Sequence, residues 1–167
     1  MTKFIQFGAI GIILFIASSF TTASKGYKYS SNEGKYSISF PGTFEESKSQ
    51  NENSISVKVS ATVGQSTYFT SHTVHTVEMT DNQMLAEVSL DSFTESLGGS
   101  ITKKSDWVIK KHKGLKASID IPQYDAKAEY QIVIIGQIQY QIVAVAPTSS
   151  WDQKSADAFF KSFKVKK

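Results

Sequence analysis

Between residues 54 and 63 every second side chain is apolar: Ile55, Val57, Val59, Ala61 and Val63 alternate with Ser54, Ser56, Lys58, Ser60 and Thr62. A two-residue repeat separates an apolar face from a polar one only when the backbone is extended, so this segment is read as a half-buried strand. Gly64-Gln65 interrupts the pattern, and a second β-rich run covers 67–77. Two long antiparallel strands joined by a tight turn account for both.

The same reasoning covers most of the chain. Segments 25–31 and 35–40 flank Asn32-Glu33-Gly34, residues suited to a turn, and form a hairpin in which Tyr36, Ile38 and Phe40 share one face. Residues 43–53 are polar without either period and read as an exposed loop. Thr80-Asp-Asn-Gln83 matches a capping box, and Ala86, Leu90, Phe93 and Leu97 then recur at helical spacing up to the stop at Gly98-Gly99. Three β segments follow at 101–111, 115–121 and 128–135, the last turning at Gly136-Gln137 into 138–146. This last pair is apolar enough to lie centrally, covered on both faces. Ser150 and Gln153 repeat the capping signal ahead of Ala156, Phe159, Phe160 and Phe163, a C-terminal helix that packs on the sheet. The expected architecture is α+β: an antiparallel curved sheet of about six to eight strands flanked by two helices.

The N-terminus follows different rules. Lys3 precedes a run, 4–17, that is apolar apart from Gln6, and small polar residues follow at 18–24. Charged, greasy and small regions in that order make a secretory signal. Thr21 and Ala23 suit a signal peptidase, placing the cut between Ala23 and Ser24, with 17–19 as a second site. The domains expected are a signal peptide, 1–23, and a single α+β domain, 24–167; an uncleaved membrane anchor is the alternative. The protein is expected to be exported, periplasmic or extracellular. The chain contains no cysteine, which excludes disulfides, thiolate metal sites, thiol catalysis and a lipid on an N-terminal cysteine.

All 18 basic residues are lysine, against 15 acidic ones. A formal net charge of +3 is too small to imply nucleic acid as a partner. Without arginine, anion recognition must rely on lysine point charges and backbone amides.

The stretch Tyr29-Ser-Ser-Asn-Glu-Gly-Lys-Tyr-Ser-Ile-Ser-Phe-Pro-Gly42 resembles the opening of a group of small exported bacterial proteins, several with the PsbP/Mog1-like α/β/α fold. The helix ending in Gly98-Gly99, the Tyr140-Gln-Ile-Val segment and Phe159-Phe-Lys-Ser-Phe163 are similar too. The resemblance implies a sheet sandwiched by helices and a non-enzymatic accessory or partner-binding role.

Motifs for catalysis are weak. His72 and His75 have a chelating spacing on a helix, but they lie in a strand, where residues three apart face opposite ways. His112 sits in a lysine-rich turn. Ser66 and Ser100 follow glycines but lack the second glycine of a nucleophile elbow, and Glu45-Glu46 falls in the polar stretch. A hydrolase using a serine, His72 or His75, and Asp120, with its site in a helix–sheet cleft, is one alternative to a binding module, and a membrane-tethered subunit of an envelope complex is another. No cofactor or metal is implied. Lys103, Lys104, Lys110, Lys111, Lys113 and Lys116 surround Trp107 and form a candidate patch for an anionic membrane surface, glycan or acidic protein. The competing role for these lysines is to keep a hairpin tip soluble and its edge unpaired.

Overall fold

Among residues 27–166, which the computed structural model describes, ten strands and two α-helices follow one another. The segment expected to be a signal peptide, with its expected cut after Ala23, lies outside the described residues. The hairpin is β1 (Lys28–Ser31) and β2 (Tyr36–Ser39); β3 (Glu45–Gln50), β4 (Ser54–Val63) and β5 (Ser66–His75) come next, then α1 (Asn82–Ser96). After it run β6 (Ser100–Ile109), β7 (His112–Ile121), β8 (Ala126–Ile135), β9 (Ile138–Pro147), α2 (Gln153–Ser162) and β10 (Lys164–Val165).

Seven strands form one sheet in the order β3-β4-β5-β9-β8-β7-β6, and β1, β2 and β10 form a second. All neighbours are antiparallel. β9 occupies the middle of the large sheet, which explains its continuous apolar run. Its side chains divide by parity: Tyr140, Ile142 and Ala144 join one core cluster, Val143 and Val145 the other.

The first cluster lies under the small sheet and α2. Tyr36, Ile38 and Phe40 of the hairpin meet Val57 and Val59 of β4, Tyr68 of β5 and the α2 phenylalanines. Phe159, 1% exposed, sits 5.2 Å from Phe40 and 5.4 Å from Tyr68 between ring centroids. The second cluster lies under α1, where Ala86, Leu90 and Leu97 face Leu115, Ala117 and Ile119 of β7 and Ala128 and Tyr130 of β8. Phe93 stacks on Tyr130 at 4.9 Å. One helix therefore packs on each face, at opposite ends of the sheet.

Four details differ from the sequence reading. Residues 45–50 form an edge strand rather than loop, because pairing with β4 imposes the extended conformation on side chains that bury little. The N-cap of α1 is Asp81, whose carboxylate accepts from the Met84 amide at 2.9 Å; Thr80 lies outside. The N-cap of α2 is Asp152, accepting from the Lys154 and Ser155 amides. Ser150 instead ends a short 3-10 turn, its hydroxyl on the Pro147 carbonyl. Finally, Lys164–Val165 adds the short strand β10 to the hairpin, invisible in a two-residue segment.

Candidate functional site

Seven strands are wider than one helix. With α2 and the small sheet seated over β4, β5 and β9, the same face of β6, β7 and β8 is covered around Trp107, Ile109 and Val133 but left open around Ser105, Ser118 and Glu129, where its residues are polar. Ser105 of β6, Lys116 and Ser118 of β7, and Glu129 and Gln131 of β8 form the floor of a groove of about 320 Å³. Its wall is the flank of α2, with Gln153, Asp157, Phe160 and Lys161. Lys103 stands at the β6 edge.

A bulge decides which lysine reaches the groove. The β6–β7 register shifts between Ile101 and Lys103, so Ile101 opposes Ile119 whereas Lys103 opposes Ser118. Lys103 is thereby turned to the groove face and Lys104 to the α1 face, where its ammonium pairs with Glu87 at 2.6 Å.

The two carboxylates are tied to the wall. Gln153 Nε2 donates to Glu129 Oε1 at 3.2 Å and to Asp157 Oδ1 at 3.0 Å, while Trp151 Nε1 donates to Gln153 Oε1 at 2.9 Å. Lys127 Nζ rests 4.7 Å above the Trp151 ring. By contrast Lys103, Lys116 and Lys161 form no ion pair among the described residues. The groove thus offers three ammonium groups without an ion pair beside serine hydroxyls, side-chain amides and the Gln153-bound carboxylates of Glu129 and Asp157.

Of the lysines around Trp107, the structure brings only Lys103 and Lys116 together in the groove. Trp107 shares that face, but its indole packs on Phe163 at 6.0 Å and is half-buried against the first core cluster. Lys110 lies in the β6–β7 turn with positive φ, its ammonium 3.5 Å from the Lys166 carbonyl. Lys111 is exposed in the same turn, and Lys113 opposes Val108 with the parity of Leu115, on the α1 face. Lys161, Glu129 and Asp157 were not anticipated. Their only sequence signal is polarity at alternate β8 positions and on one side of α2.

The histidines do not meet. His72 shares its face with the Tyr36 cluster, whereas His75 follows the parity of Phe69. Among the described residues neither ring nitrogen of His72 has a hydrogen-bond partner, so no serine hydroxyl or carboxylate of theirs engages it. Asp120 opposes Lys127 and Ser100 at the other end of the sheet.

No protein-family model matches the chain, and no curated protein does. A solved structure from Bacteroides thetaiotaomicron is similar over 86% of this chain and 50% of its own length, with 14% identity and a TM-score of 0.41. The chain spans about half of that protein. A likeness this distant says nothing about what the chain binds.

Proposed function

We propose that the chain is an exported binding or accessory module of the bacterial envelope or secretome, of the PsbP/Mog1-like α/β/α kind, which holds an anionic partner in the groove between α2 and β6–β8. The observation that carries this reading is the convergence of Lys103, Lys116 and Lys161, from three separate elements, none of them in an ion pair among the described residues, while the two carboxylates of the groove, Glu129 and Asp157, are engaged by Gln153. Like charges cost free energy when brought together, and an acidic ligand offsets that cost. Lysine suits a contact of this type, since each ammonium is a flexible point charge that adapts to irregularly spaced anions. Ser105, Ser118 and Gln131 add hydrogen bonds on the floor.

The test is retention on heparin and on anionic vesicles at low salt. Replacing Lys103, Lys116 and Lys161 with Gln is expected to abolish a salt-sensitive retention that replacing Lys111 and Lys113 leaves in place. Equal losses from both sets would reduce the effect to net charge, and no retention by the native protein would remove the reading. Export has its own check: mass spectrometry of the native protein should find Ser24 as the first residue. Met1 retained would mean an anchored protein.

A further inference from the structure

The least usual group in the core is His72. It is 1% exposed, and among the described residues neither Nδ1 nor Nε2 has a hydrogen-bond partner. Buried polar atoms are normally paired, and an imidazole with two orphan nitrogens is tolerable only while neutral. What seals it is the 32–35 turn of the β1–β2 hairpin. Gly34 lies so close that a Cβ there would sit 2.6 Å from His72 Cγ. Tyr36 of β2 covers the ring edge-on at 5.4 Å.

The groups around the ring come from four elements. Glu33 stands on the turn, Glu46 and Lys48 on β3, Tyr36 on β2 and Tyr140 on β9. Both carboxylates are engaged elsewhere: Glu33 pairs with Lys48 at 3.1 Å, and Glu46 accepts from the Tyr29 hydroxyl at 2.6 Å. His75 projects from the opposite face and His112 stands at the start of β7, paired with Ile109 near the far edge of the sheet, so neither shares this pocket.

We propose that His72 is an acid-sensitive latch, whose protonation opens the 32–35 turn while the seven-stranded sheet stays folded. An imidazolium sealed beneath the turn would have two donors and no acceptor. Lifting the turn admits water to both nitrogens and lets Glu33, which it carries, swing toward the new charge. Burial already holds the imidazole below its ordinary pKa. The turn is held by single hydrogen bonds and no continuous ladder: Gly34 N donates to Ser31 Oγ at 2.8 Å, Tyr140 Oη to the Gly34 carbonyl at 2.8 Å, Lys166 N to the Lys35 carbonyl at 2.8 Å, and Lys166 Nζ to the Ser31 carbonyl at 3.2 Å and Asn32 Oδ1 at 3.4 Å. The neighbouring large sheet is paired along strands of ten residues, so the turn and the two-residue β10 form the weaker unit. The inference is independent of the groove.

The test is amide hydrogen exchange on the full mature chain, read as protection factors, alongside the NMR titration of the His72 ring. Between about pH 8 and about pH 5, the Gly34 and Lys166 amides should lose roughly tenfold or more of their protection in step with His72 protonation, while Ile142 and Val143 keep theirs. His72→Phe should abolish that loss. If this variant does not fold, His72→Leu serves, and if neither folds the coincidence of the two native titrations decides. Protonation of His72 with the turn still protected would overturn the proposal, as would protection lost equally across the large sheet.

Discussion

The hydroxyl of Tyr140 reaches across the core to donate a 2.8 Å hydrogen bond to the carbonyl of Gly34, joining the central strand to the N-terminal hairpin. Both residues are buried. Burial pushes the phenol up to about 12, so it remains a donor at any ordinary pH. Tyr140→Phe keeps the ring and strands the carbonyl, and should cost about 1–3 kcal/mol in urea unfolding. An unchanged midpoint would show that water reaches Gly34.

Gly34 is required by close approach. A Cβ would meet the Cγ, Cδ2 and Nδ1 atoms of His72, a rigid ring without room to retreat. Gly34→Ala should therefore destabilise by about 1–3 kcal/mol. The double variant with His72→Ala should recover part of that loss, which a thermodynamic cycle measures.

Stability should depend on pH through His72. Burial lowers the folded-state pKa of its imidazole, so below the unfolded value, about 6.5, the unfolded chain takes up a proton that the folded one refuses. Stability from this group is fully present above about pH 6.5 and falls as pH drops from there toward the folded pKa. Urea midpoints measured across this window should decline for the native protein and decline less for His72→Phe. Equal slopes would assign the decline to other groups.

The start of α1 supplies a test of capping register. Asp81→Ala removes the acceptor of the Met84 amide and should cost about 1 kcal/mol, whereas Thr80→Ala should stay within about 0.5 kcal/mol. A larger effect at Thr80 would restore the capping box read from the sequence.

The groove was only half legible. Lys103 and Lys116 stand out in the sequence as parts of a lysine cluster, but so do Lys104 and Lys113, and the pairing of β6 with β7 sends those two to the other face. The sorting of Lys103 from Lys104 depends on the bulge after Ile101, and nothing in Ser100-Ile-Thr-Lys-Lys-Ser105 announces it. Lys161 and Asp157 enter from a helix far along the chain, brought there by Phe159 and Phe160 packing on the sheet.

Periodicity in the sequence by itself determined β4, β5, both helices, the hairpins and the central place of β9, because burying an apolar face leaves a two-residue or helical repeat in the chain. Tertiary structure alone decided β3 and β10, the sealing of His72 by Gly34 and the meeting of three lysines. Those depend on pairing and packing between distant segments, where backbone hydrogen bonds and the position of a neighbouring element act without leaving a local pattern.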